Sequence, residues 1–313
     1  MTSYYAIINL NSNSVKNRIK DIEECINQLS KNLNSRIYFD YEEAFSGTNG
    51  TWESIDIQFE RARSHSHVFV FGGDGTQTYV LNLIAKYQCD LVFIGIACGT
   101  MNINPLSNHI KNITNANTVS LISQDAIKCE LNNEIMSYAL IDSVITTTCV
   151  ALVNGNISQI SAEKILNGIK EREIPKCIGG AHTTVVVKNR DATITLPQMS
   201  DIYTISAAFL SNNVKAQTIA GGADPAACAG YKWGVIIADF PLTWADANQT
   251  DLQKRPISSI FYPLNENDSV EVFGLHENAF LINDGNSVGK ILKIKFSYCP
   301  SVFKVGKLST ERN

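Results

Sequence analysis

The sequence predicts an α/β protein in two parts, a parallel-sheet domain at the N-terminus and an all-β sandwich after it. Three observations carry that reading. Up to Ile96, short apolar runs rich in strand formers alternate with longer stretches whose apolar residues recur every three or four positions. Beyond about residue 125 the chain turns to many short β-branched runs with turns between them, the pattern of a sandwich. Between the two styles lies Ser107 to Glu130, rich in Asn, Thr and Ser, which reads as the boundary.

The elements follow in order. Tyr4 to Leu10 is the first strand, and Val15, Ile19, Ile22, Ile26, Leu29 and Leu33 mark one amphipathic helix. Arg36 to Tyr41 is a second strand; Trp52, Ile55 and Phe59 start a helix that runs to about Arg63. Val68 to Phe71 is a buried strand followed by a helix from about Thr76, and Asp90 to Ile96 is the fourth strand. Such alternation implies a Rossmann-like parallel sheet covered by helices on both faces. In the second part, strands are expected at Ser137 to Val153, His182 to Lys188, Thr193 to Leu196, Gly234 to Ala238, Ser258 to Tyr262, Val270 to Phe273 and Ile291 to Phe296. A helix over Ala162 to Lys170 interrupts them. The domains are accordingly expected at 1–120 and 121–313, with the final residues returning to the first domain.

Composition narrows the function. Of 313 residues, 44% are hydrophobic and 18% charged, so the chain can bury a substantial core and is not a disordered segment. A net charge of −4 argues against a general nucleic-acid binder with a broad basic face. The N-terminus lacks a secretion signal, and no apolar run approaches the ~20 residues a membrane-spanning helix needs. A cytoplasmic protein is expected. The eight cysteines form no CxxC pair, so reduced, mostly buried thiols and no structural zinc are predicted. His65 and His67 are read as a solvent-facing pair.

The chemistry concentrates at Gly72-Gly73-Asp74-Gly75-Thr76, where a strand ends and a helix starts. Backbone N–H groups and a helix N-terminus can hold phosphate there, and glycines let a bulky anion approach. Asp74 is the one nearby acid; its plain structural reading is a helix N-cap. No Gly-Lys-Ser/Thr follows, so this is not a P-loop. A second glycine corner, Gly95-Ile96-Ala97-Cys98-Gly99-Thr100-Met101-Asn102, follows the next strand, with Asn102 as a ligand for ribose or base or as a helix cap.

The first corner resembles the motif shared by NAD kinases and diacylglycerol or sphingosine kinases. Gly99, Thr100 and Asn102 are similar to the Gly-Thr-x-Asn turn of the lipid kinases. Ala139 to Val144 resembles the NAD kinase segment whose Asn-Glu or Asn-Asp pair holds the nicotinamide nucleotide, with Ile141 in place of the Asn and Asp142 matching. The structural alternative for Asp142 is a strand residue facing solvent. Thr218 to Gly230 resembles the Thr-x-x-Gly run of NAD kinases at Thr218, Gly221, Ala229 and Gly230, and equally a Gly-Gly stretch of lipid kinases through Gly221 and Gly222. Arg255-Pro256 and Asp284-Gly285-Asn286 resemble the Arg-Pro and Asp-Gly-Gln of NAD kinases, whereas lipid kinases often have Asp-Gly-Glu. Asp-Gly is also a preferred type I′ hairpin pair, and an amide at Asn286 cannot act as a base. Lys290, Lys293, Lys295, Lys304 and Lys307 read as a solvated face.

The resemblance spans most of the chain and looks closer to NAD kinase in the C-terminal half. It implies an NAD kinase-like fold and transfer of the ATP γ-phosphoryl group to a hydroxyl, with NAD(H) or a relative as acceptor. A lipid acceptor and a nucleotide-binding sensor without turnover are the alternatives. It further implies Asp74 as the catalytic residue, with Gly72, Gly73, Gly75, Thr76, Gly99, Thr100, Asn102, Asp142, Thr218, Gly221 and Gly222 binding nucleotide. Mg²⁺ would come with ATP and not on direct protein ligands. Homodimers or homotetramers are expected on the same ground.

Overall fold

A computed structural model describes residues 2–10, 12–40, 53–98, 107–113, 115–153, 156–210, 226–245 and 257–310. Gly99, Thr100, Asn102, Thr218, Gly221, Gly222, Arg255 and Pro256 lie outside the described residues. The chain divides into two compact units, 1–125 with 301–313, and 126–300.

In the first unit the strands are β1 (Tyr4–Ile8), β2 (Ile37–Tyr38), β3 (His67–Gly72), β4 (Val92–Ala97) and β5 (Asn108–His109). They pair in parallel in the order β2-β1-β3-β4, with β5 beside the end of β4. β1 and β4 are buried at every position, as expected of a parallel sheet covered on both faces. One face packs Tyr4, Ala6, Ile8, Phe69, Phe71, Ile94 and Ile96 against Ile22, Cys25, Ile26 and Leu29 of α2 (Ile19–Asn32). On the other, α3 (Glu53–Ala62) lies against β1 and α4 (Asp74–Lys86) against β3. Strand order reverses between β1 and β3, so the crevice beyond their carboxyl ends is the natural ligand position in such a sheet.

Two expectations are corrected here. Val15 does not share a helix with Ile19: α1 (Asn13–Lys16) is a separate turn, and α2 starts only after Arg18. The stretch read as the boundary does contain the division between the units, at 125, but it is not a plain polar linker: it holds α5 (Ile110–Ile113) and the long strand β6 (Thr118–Leu131). Residues 120–123 of β6 are exposed, which is why no apolar alternation announces the strand.

The second unit contains β7 (Ile135–Ala139), β8 (Asp142–Thr146), β9 (Thr148–Val153), β10 (Asn156–Ser161), β11 (Gly179–Gly180), β12 (Thr184–Lys188), β13 (Thr193–Thr195) and β14 (Asp201–Ile202). It continues with β15 (Thr204–Phe209), β16 (Trp233–Ala238), β17 (Ser259–Leu264), β18 (Ser269–Phe273), β19 (Phe280–Asn283), β20 (Asn286–Lys290) and the start of β21 (Lys293–Ser309). An antiparallel sheet β17-β16-β15-β8-β19-β20 faces the strands β13-β12-β18-β21 with β6 and β7. Trp233, Phe296, Ile205, Ile237, Val187, Val272 and Ile127 fill the space between. The helix expected over 162–170 shrinks to α6 (Ala162–Ile165). Gly168, at φ 75°, takes the left-handed conformation that ends a helix, and Ile169 N–H turns back to Lys164 O at 3.1 Å.

After the second unit, β21 re-enters the first, where Val305 pairs in parallel with Phe93 of β4.

Candidate functional site

The glycine corner sits at the carboxyl end of β3. Gly73, at φ −81° and ψ 179°, is the N-cap of α4 and makes no side-chain cap hydrogen bond. Asp74 is therefore not the cap but the first helical residue, and it stands half-buried between Gly73 and Gly75, which are half-buried too. The positive end of a 13-residue helix meets an acid there.

Gly72 and Thr76 are buried. A Cβ on Gly72 would fall 2.5 Å from Thr76 Cβ, so that glycine is required by close approach; its backbone is not left-handed. Thr76 Oγ1 accepts a 2.7 Å hydrogen bond from Asn9 Nδ2, and Asn9 N–H donates to Phe71 O at 3.1 Å. Asn9 directly follows β1 and is 3% exposed. Beneath it, the fully buried Gln58 pairs both ways with the backbone of Ile8, at 2.8 and 3.2 Å. The reversal point of the sheet is thus lined by side-chain amides. Sequence reasoning passed over Asn9 and Gln58. Their one signal is a polar residue directly after an apolar strand, or inside an apolar helix stripe.

Around the corner burial sets the titration. The Cys98 thiol is pushed up to about 11 by burial. Tyr79 donates to Asp56 Oδ1 at 2.8 Å, and burial raises the Asp56 carboxyl. His65 and His67 are half-buried and not a solvent-facing pair: His65 lies against Tyr5 and Tyr38, His67 against Tyr4. Burial lowers the His67 pKa.

The second unit holds Asp142, Asp284 and Asn286. Asp284 and Gly285 have φ of 47° and 84°, the two left-handed residues of a type I′ turn, joining β19 to β20. Asp284 is 8% exposed, and its carboxylate turns inward. It accepts the N–H groups of Leu140, Ile141 and Asp142 at 2.8, 2.8 and 3.0 Å, and its own N–H donates to Asp142 O at 3.0 Å. Asp142, half-buried, is held by its backbone to this turn; it is not a plain solvent-facing strand residue. Alongside, Ser143 Oγ donates to Asn283 Oδ1 at 2.6 Å, and Asn283 Nδ2 donates to Ser137 Oγ at 2.9 Å. Ile141, in the place of the NAD kinase Asn, is buried at 7% exposed.

A parallel sheet with a phosphate-type glycine corner at its reversal point, joined to an antiparallel sandwich, defines the fold class of the diacylglycerol and NAD kinases. Residues 4–132 match the family model of the diacylglycerol kinase catalytic domain, and this supports kinase activity. A diacylglycerol kinase structure from Bacillus anthracis str. Sterne is similar at 13% identity and a TM-score of 0.51, covering 97% of this chain and 96% of that one. Two further structures from that organism have TM-scores of 0.54 and 0.53 at the same identity and coverage. At that identity the likeness shows the fold. No curated protein sequence matches. The fold is of the diacylglycerol kinase and NAD kinase type; the expected closer kinship to NAD kinase in the C-terminal half is not supported. Among the described residues no helix is long and apolar enough to cross a membrane.

Proposed function

We propose that this chain is an ATP-dependent kinase that phosphorylates a hydroxyl of a small molecule, with a diacylglycerol-type lipid alcohol as acceptor. The observation that carries the reading is the match of residues 4–132 to the diacylglycerol kinase catalytic domain, a span that includes the Gly72–Thr76 corner. The buried Ile141 adds to it, because an NAD kinase-type acceptor site would need an amide there. NAD(H) remains the second reading, favoured by Asn286 standing half-buried on β20 where NAD kinases have Gln.

The corner fits Mg-ATP by its donor chemistry: the start of a 13-residue helix with three half-exposed residues, two of them glycine. Bound there, Mg-ATP supplies the phosphoryl group and neutralises the charge that develops in transfer. Gly73, Asp74 and Gly75 hold phosphate oxygens through backbone N–H groups. Asp74 orients the acceptor hydroxyl and receives its proton. A loose phosphoryl transition state asks more of positioning than of base strength.

The test is ADP release from Mg-ATP with diacylglycerol in mixed micelles, NAD and NADH in parallel. Turnover with the lipid alone supports the proposal. Turnover with NAD or NADH alone overturns the acceptor. Nucleotide binding without turnover on any acceptor overturns the enzyme and leaves a sensor.

A further inference from the structure

We infer that the buried amide of Gln77 is a positioning group that locks the first turn of α4, and with it Asp74, onto β4 and the segment that follows it. Asn108 extends the lock to β21. What the lock serves rests on the phosphotransfer reading; the lock itself does not.

Gln77 is the fourth residue of α4 and is fully buried, in a helix whose other buried positions include Val80, Leu81 and Ile84. An amide in such a place costs desolvation unless its groups are paired. It is paired. Oε1 accepts from Ser107 Oγ at 2.9 Å, and Nε2 reaches Gly72 O at 3.4 Å. Gly72 O also accepts the Cys98 N–H at 3.0 Å. Strand β4 makes room for the amide, since a Cβ on Gly95 would lie 2.5 Å from Gln77 Oε1.

Asn108 continues the chain of contacts. It is 8% exposed, donates through Nδ2 to Gly95 O at 3.0 Å, and accepts the Leu308 N–H at 3.2 Å. One polar cluster therefore joins the end of β3, the start of α4, the end of β4, residues 107–108 and β21. An apolar residue at position 77 would fill the space but hold none of these partners in register. Displacing a reacting group by about 1 Å can cost 10²-fold in rate, so a helix start that carries the acid gains from being pinned.

The experiment combines hydrogen exchange with kinetics on the full chain. In Gln77→Leu, exchange of peptides covering 72–77, 95–98 and 305–309 should rise about tenfold, the change expected when one buried hydrogen bond is lost, while a peptide over 22–29 stays unchanged. Ser107→Ala keeps the fold and removes a single bond. It should lower kcat about tenfold with little change in melting temperature, and Ser107→Thr, which restores the hydroxyl, should recover the rate. Unchanged exchange in Gln77→Leu, or in Ser107→Ala should Gln77→Leu not fold, overturns the lock. Wild-type kcat and KM in Ser107→Ala overturn its role in positioning. If the wild type transfers phosphate to no acceptor, the phosphotransfer reading fails, and the exchange results still decide the lock.

Discussion

Two turns in this chain pair an aspartate with glycine at the end of a strand, and they put the acid to opposite uses. At Gly72–Thr76 the backbone is ordinary, the helix begins without a side-chain cap, and Asp74 stays half-exposed. At Asp284–Asn286 the first two residues are left-handed, and the Asp284 carboxylate turns inward onto three main-chain N–H groups. A carboxylate already saturated by backbone donors has little left to offer a ligand. Similar motifs therefore differ in role according to where the acid points, and exposure decides that.

The strongest way to break the contrast is Asp74→Asn. Turnover should fall 10²–10⁴-fold, the range for removing a positioned proton acceptor, with a melting temperature close to wild type. Steady-state ADP release and calorimetry check both halves, and a large loss of stability would show that Asp74, like Asp284, serves the fold.

Asp284→Ala should do the reverse. Two buried N–H groups and one half-buried one lose their acceptor, at about 1–3 kcal/mol for each buried group, so urea denaturation should show a loss of at least about 2 kcal/mol. A variant with wild-type stability and no activity would move Asp284 into the site.

Gly72→Ala sharpens the first half. The new methyl meets Thr76 at 2.5 Å, and overpacking of this kind costs about 1–3 kcal/mol; Thr76→Ser in the same chain should recover part of that in a denaturation curve. By contrast Gly285→Ala, open in space but at φ 84°, should cost about 1–2 kcal/mol through backbone strain alone.

A test of another kind is one of pH, and it should touch both units alike. Burial raises Cys25 to about 12 and Cys98 to about 11 in the first unit, and Cys129 and Cys149 to about 12 in the second. These thiols stay protonated in the fold while unfolded ones ionise near 9, so the native state binds more protons above that pH. Stability should decline as pH rises from 9 toward 11. Alkaline denaturation curves that are flat over that interval would contradict the burial.

Much of the frame could be read without coordinates. Periodicity located α2, α3 and α4, and the Val68–Phe71 run with its glycines located the corner. What escaped has a common cause. Hydropathy marks polar residues as surface, so Asn9, Gln58, Gln77 and Asn108, all buried, were invisible as the frame of the site. The same bias hid β6, whose exposed half carries serines, and the length of β21, which runs through Pro300 and the left-handed Ser301 at φ 51°. Their pairing is long-range, and a local window holds no trace of it.

The return of β21 to β4 also bears on synthesis. A ribosome must make the whole of 126–300 before Val305 exists to lie beside Phe93, a wait of roughly 10–35 s at ordinary translation speed. During it β5 can cover only the end of β4, and the stretch around Phe93 is left as an unpaired edge, the kind that templates unwanted strand pairing.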